Sequence, residues 1–224
     1  YMHYAQVRER PGEAREWPRV MARDRGCSLL RTTMSITQSQ REKTLATMSP
    51  ASVPLRALPV VELTSSQLQR LDSLAEKRSE TYESIDGGVL FGGRDSLTSH
   101  QIGLLGELAV AQFYNLSIDS DIYRLGDDGT DLVLHGMNID VKTTATDAME
   151  RPELLVRSDK QVNADLYVRA HVVNWDSTGA RVRIIGAAPN TVVQAREPQR
   201  HPWETKNYVV PPRELSYLPA LQSR

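Results

Sequence analysis

The chain has 224 residues, with 27 Lys plus Arg against 28 Asp plus Glu, and a single cysteine, Cys27. That length fits one domain with extensions, and the lone cysteine excludes a disulfide framework and a cysteine zinc site. The five histidines show no metal-ligand spacing, and no apolar run is long enough for a membrane span or a signal sequence, so a reducing cytoplasm is the expected compartment.

Residues 1–47 hold nine Arg plus Lys against five Asp plus Glu and few periodic aliphatics. They read as a poorly ordered tail. The chain opens on Tyr1, which leaves Met34 or Met48 as a candidate start. The expected organisation is a tail or mis-assigned start over 1–60 and a single domain over 61–224. Thr64 to Ile85 predicts a helix with Leu68, Leu71 and Leu74 on one side. Gly87 to Gly93 follows; it lacks the Gly-Lys-Ser/Thr of a phosphate loop and reads as a linker or lid.

Ser96 to Tyr114 predicts a second helix, with Ser96, Thr98 or Ser99 as N-cap. Ile102, Leu105, Ala109 and Phe113 form one apolar stripe, and Leu104, Leu108 and Ala111 a second. A helix apolar nearly all round is a buried one, and Gly103 and Gly106 would let its backbone approach a sheet. Glu107 is the only charged residue between Asp95 and Asp119. A buried carboxylate needs a cation, a donor or a proton. Either Glu107 lies on a narrow wet stripe, or it stands beside an acidic site.

Ser120 to Arg124 suits a strand, with Gly126-Asp127-Asp128-Gly129 as its turn. Thr130 to Thr144 then predicts a β-hairpin. Leu132, Leu134, Ile139 and Val141 alternate with polar partners, the period of a half-buried strand. A turn around Gly136-Met137 would pair His135 with Asn138, Val133 with Asp140, and Asp131 with Lys142. Asp131, Asp140 and Lys142 would then share one face, with Asp131 and Asp140 as diagonal neighbours roughly 7–8 Å apart. An odd loop would scatter the set. The plain alternative is an exposed face with an Asp131–Lys142 ion pair, which contributes little. Only five lysines occur, Lys43, Lys77, Lys142, Lys160 and Lys206. In a chain that favours arginine, a lysine beside two acids is a sign of proton chemistry.

Further on, Ser158 to Val162 suits a short helix and Asp165 to Val173 a strand. Asp176 to Gly179 reads as a turn and Arg181 to Gly186 as the hairpin partner. Asn207 to Val210 reads as an edge strand stopped by Pro211 and Pro212, and Glu214 to Leu218 as a last helical turn.

A helix with an acid, then Asp131 in Gly129-Thr130-Asp131, then Asp140-Val141-Lys142, resembles the PD-(D/E)XK nuclease superfamily. The proline of the family name is replaced by Thr130. The resemblance covers residues 97–185, in an order and spacing like those of Holliday-junction resolvases and several restriction enzymes. It implies an α/β fold with a restriction-endonuclease-like αβββαβ core, a mixed central sheet flanked by helices. It also implies Mg²⁺ or Mn²⁺ dependence and hydrolysis of DNA phosphodiesters; the sequence names no oligomeric state, and a homodimer is one candidate. In that reading Asp131, Asp140 and the Val141 carbonyl hold the metal. Glu107 binds a metal-bound water or a second ion, and Lys142 orients that water or stabilises the transition state.

Charge argues the other way. Residues 48–224 carry 18 basic against 23 acidic groups, whereas DNA-binding domains usually show a basic footprint. Arg124, Arg157, Lys160, Arg169, Arg181 and Arg183 are candidates for a local basic rim. The alternative function is a non-catalytic nucleic-acid-binding or assembly protein that keeps the fold.

Overall fold

Every second residue of Val60-Val61-Glu62-Leu63-Thr64 is buried, and this segment forms strand β1 (Val60–Thr64). The computed structural model describes residues 53–86, 96–116, 130–134, 136–146, 151–159, 164–202 and 204–217. The expectations for the tail, the 87–93 linker, the 120–124 strand and the 126–129 turn fall outside those residues. Packed chain begins before residue 61, since Leu58 is buried.

Thr64 ends β1 and starts helix α1 (Ser65–Asp86). The Thr64 backbone N–H donates to Gln67 Oε1 at 2.8 Å, and the Gln67 N–H donates to Thr64 Oγ1 at 3.4 Å. That reciprocal pair satisfies two donors that a helix start leaves open. Leu68, Leu71 and Ala75 are the buried side of the helix, at the spacing of one helical face. Helix α2 (Ser96–Phe113) closes with Asn115 in the left-handed region at φ 52°. There the Leu116 N–H donates to the Ala111 carbonyl at 2.8 Å and the Asn115 N–H to that of Gln112 at 3.1 Å, the two bonds of a left-handed helix stop. Gln67 and Gln101 tie the helices together, donating to Gln112 and Asp72 at 2.9 and 2.8 Å.

The hairpin follows as β2 (Leu132–Leu134) and β3 (Met137–Thr144). Then come β4 (Leu154–Arg157), β5 (Leu166–Asp176), β6 (Gly179–Pro189), the short α3 (Asn190–Gln194), β7 (Gln199–Arg200) and β8 (Lys206–Val210). A five-stranded mixed sheet runs β1-β6-β5-β3-β2, and a three-stranded sheet runs β4-β8-β7. All five-sheet neighbours are antiparallel except β3 and β5, which are parallel.

Two cores lie on opposite faces of the larger sheet. Val141, Val168, Ala170, Val182 and Ile184 face α1 and α2. Tyr167, Ile185 and Ala188 face Leu154, Val156 and Val210 of the smaller sheet. The chain is therefore α/β, with a mixed sheet between a helical layer and a second sheet. Three expectations change. β8 pairs on both sides, with β4 and with β7, so it is central rather than an edge. Strand β4 occupies the parallel connection from β3 to β5; Ser158 and Asp159, expected to open a helix, form a turn after it, and 160–162 of that expectation lie outside the described residues. The last helical turn is a 3-10 turn at Pro212–Glu214.

Candidate functional site

Strand β3 carries the site. Its pairing with β5 sets Asp140 beside Tyr167, Lys142 beside Arg169 and Thr144 beside His171. Paired residues share a face, and Tyr167 belongs to the core under the smaller sheet. Asp140 and Lys142 therefore project away from the helices, while Ile139 and Val141 pack beneath α2. The Lys142 ammonium meets Asp140 Oδ1 at 2.6 Å. Asp140 is buried and the Lys142 side chain is 35% exposed, so the pair runs from the interior to the surface.

The hairpin turn comes one residue earlier than the sequence suggests. Leu134 pairs with Met137, Val133 with Asn138 and Leu132 with Ile139. The loop stays even, so every residue keeps its face, but the register moves by two. Val133 thus faces Asn138 rather than Asp140. Asp131 lies along residues 139–141 rather than opposite Lys142. Its N–H donates to the Ile139 carbonyl at 2.9 Å, and its Oδ2 accepts from the Val141 N–H at 2.6 Å. The carboxylate takes the place of a strand carbonyl just before the start of β2. Asp131 and Asp140 are brought together, closer in register than the expected diagonal.

Glu107 comes from the helical layer. Its neighbour Gly106 is pressed onto β3: a Cβ built there would stand 1.8 Å from Thr143 Oγ1. Thr143 lies between Lys142 and Thr144 on the strand and projects to the helix side. Glu107 Oε1 turns back along its own helix, 3.9 Å from the place of a Cβ on Gly103. Among the described residues no three His, Cys, Asp or Glu side chains are grouped to hold a metal ion. The structure thus pairs Asp140 with Lys142, sets the Asp131 carboxylate on the adjoining Val141 peptide, and leaves Glu107 on the helical side of the sheet.

Beside the Asp140–Lys142 pair runs a row that the sequence reading left largely unassigned. Tyr167, Arg169 and His171 alternate with Leu166, Val168, Ala170 and Val172, the helix-side core. Arg183 pairs directly with His171 from β6. Arg169 is 6% exposed, and one of its terminal nitrogens donates to the Lys142 carbonyl at 3.0 Å. Burial lowers its pKa to about 10, partly offset by Glu153. His171 is 5% exposed, and its Nε2 lies 2.9 Å from the Thr146 carbonyl. Burial, with the Asp140 charge nearby, pushes the Tyr167 phenol well up. The alternation in 166–172 was the signal available for this row, because every second residue there is polar or amphipathic.

The other rim candidates divide. Arg157 pairs with Asp159, and Arg181 meets Glu62 at 3.6 Å, both near the surface. Arg124 and Lys160 lie outside the described residues. No described helix is long and apolar enough to cross a membrane.

A buried carboxylate held by an ammonium, with a second carboxylate on the adjoining peptide, is an oxygen-donor set backed by cations. It can bind a hard cation, present a phosphate to positive charge, or serve as an internal polar network. Comparison with family models, with curated proteins and with solved structures gave no match to the chain.

Proposed function

We propose that this protein is a metal-dependent nuclease that hydrolyses DNA phosphodiester bonds, acting as an endonuclease on a restriction-endonuclease-like core. The observation that carries the reading is the Asp140–Lys142 pair at 2.6 Å, with the Asp131 carboxylate on the Val141 N–H beside it. Two carboxylates and nearby peptide oxygens suit Mg²⁺ or Mn²⁺, hard ions that take oxygen ligands; Mg²⁺ sites commonly use one or two carboxylates. Asp131, Asp140 and the Val141 carbonyl would hold the ion; Glu107, on the helical side of the sheet with its carboxylate turned back toward Gly103, stays outside this set. A bound ion there would polarise the scissile phosphate and lower the pKa of a coordinated water.

The chain's own groups do the rest. Asp140 holds the Lys142 ammonium at the boundary between interior and solvent. From there Lys142 donates toward the charge that develops on the phosphoryl oxygens, or toward the attacking water. The Val141 N–H fixes the Asp131 carboxylate, so its orientation is set before any ligand arrives. Arg169 anchors the Lys142 carbonyl and so steadies the strand that carries both groups.

A second reading is a non-catalytic nucleic-acid-binding or assembly protein. It is favoured by the same contacts, since Lys142 and the Val141 N–H already engage both carboxylates within the chain. Incubation with supercoiled, linear, single-stranded and four-way-junction DNA, with Mg²⁺ or Mn²⁺ and with EDTA, separates the two. Cleavage only with metal supports the nuclease. Binding that is equal in EDTA, with no cleavage under any condition, leaves the second reading.

A further inference from the structure

Buried polar groups in a folded chain find partners, and each exception calls for an explanation. Three such exceptions stand in one row. Arg169 Nε, His171 Nδ1 and Arg183 Nε are buried with no hydrogen-bond partner in the structure. Arg169 and His171 are two apart on β5 and share a face. His171 and Arg183 are direct cross-strand partners. Lys142 stands next to Arg169 across the β3–β5 pairing. Four basic side chains therefore run side by side across three strands.

Beyond Lys142, which Asp140 holds, charge compensation for the row is thin. Arg196 offers the contrast: its Nε is also unpartnered, yet its guanidinium pairs with Glu214. The carboxylate acting on Arg169 is Glu153, and Glu153 is itself bound to His201 at 2.8 Å. Arg183 has no ion pair among the described residues. An arginine buried only to fasten strands would spend its fork on carbonyls and carboxylates. Arg169 makes one such bond, to the Lys142 carbonyl, and keeps Nε. His171 directs Nε2 to the Thr146 carbonyl, so that nitrogen carries the proton, and leaves Nδ1 without a partner. The row is graded in depth, from buried Arg169 and His171 to half-buried Arg183 and partly exposed Lys142.

We propose that Arg169, His171 and Arg183 form a phosphate-binding row beside the Asp140–Lys142 pair. Guanidinium N–H groups suit a tetrahedral oxyanion with several acceptor oxygens, and His171 Nδ1 donates to it once the ring takes up a second proton. Assigning that phosphate to a nucleic-acid strand, at the position flanking the one presented to Lys142, rests on the function proposed above. A free phosphate or a mononucleotide would offer the same oxyanion.

The test is binding in EDTA, so that no cleavage is needed. A fluorescein-labelled dT15 strand is titrated by anisotropy, and thermal unfolding is followed with inorganic phosphate against chloride at matched ionic strength. Arg183→Gln and His171→Gln are compared with the wild type. Arg183→Gln is the primary variant, because a half-buried side chain can be shortened without opening the core. The expected result is a loss of about tenfold in strand affinity for each variant, as for one charge-assisted contact. Phosphate should raise the wild-type Tm and have less effect on the variants; the Tm of Arg183→Gln itself stays the same or rises as an unpaired buried donor is removed. A phosphate shift without strand binding keeps the row and assigns it a small phosphate. Folded variants that bind the strand within twofold of wild type, with an unchanged phosphate shift, overturn it. If the wild type cuts nothing but loses its phosphate shift in Arg183→Gln, the nuclease reading fails and the row stands.

Discussion

At the scale of single residues, the site pairs groups whose roles can be separated by small chemical changes. Asp140→Asn keeps the shape and removes the charge. It should abolish metal-dependent cleavage and leave DNA binding intact or tighter, as gel shift and cleavage assays on one preparation would show. Lys142→Ala should lower the cleavage rate by about 10²–10³, the scale for losing one donor to a developing anion, with metal affinity little changed. A Lys142→Ala protein that cuts at the wild-type rate would remove lysine from the mechanism. Tyr167 gives a test that does not depend on catalysis. Its hydroxyl is buried without a partner, so Tyr167→Phe should raise stability by about 1–2 kcal/mol in urea unfolding. Its pKa is raised in the fold, so the folded chain holds that proton where the unfolded chain releases it. The stability tied to this proton is full below about pH 10 and is lost as pH rises above it. The phenylalanine variant should lose less stability than wild type between neutral pH and pH 11. Alternation alone put Asp140 and Lys142 on one face, because it assigns faces without knowing partners. It could not identify Tyr167 and His171, whose importance comes from what lies opposite them.

Among the elements, the contact between α2 and β3 is the tightest joint near the site. Gly106→Ala would place a methyl group 1.8 Å from Thr143 Oγ1 and 2.9 Å from its Cβ. Alanine favours a helix interior over glycine by about 1 kcal/mol. The clash outweighs this gain, and the variant should be destabilised by about 1–3 kcal/mol, with β3 displaced. Gly106→Ala as stable as wild type would mean that α2 can move off the strand freely. At the other helix, Thr64→Ala removes the side-chain half of the capping pair with Gln67 and should cost about 1 kcal/mol. The elements legible in the sequence were those with a long period. α1 was placed to within a residue at each end, and α2 ends at Phe113 where Tyr114 was expected. The short strands were not. β1 alternates over only five residues, too few to stand out ahead of a helix, and β4 and β7 span four and two. The position of β8 between β4 and β7 depends on partners far away in sequence, which no local pattern encodes. The hairpin register slipped by two because a turn can close at either of two neighbouring positions, and only parity was fixed by the hydrophobic pattern.

For the molecule as a whole, the charge balance limits how the proposed nuclease would hold DNA. The full chain carries a net charge of −1, so attraction to a polyanion must be local rather than global. Among the described residues Arg169, Arg183 and Lys142 are cations that the fold brings to one place, around His171. A strand held by so few contacts should show a slope of log affinity against log salt of about −2 to −3, well short of the −6 to −9 of a broad basic surface. Fluorescence anisotropy across a salt series measures that slope directly. A steep slope would place the DNA on other residues. The layered architecture fits this economy: helices cover one face of the large sheet, the small sheet covers part of the other, and the cationic row occupies that second face.

The bond from the Val141 amide to Asp131 has a consequence for spectroscopy. A short hydrogen bond to a carboxylate moves an amide proton downfield and slows its exchange with solvent. Val141 N–H should therefore stand apart in the amide spectrum and act as a resident reporter on Asp131. If Asp131 turns its oxygens toward a cation, that resonance will move upfield as Mg²⁺ is added, and the midpoint will give the affinity without any substrate. If the resonance stays still while cleavage proceeds, Asp131 is a piece of strand architecture that happens to be acidic.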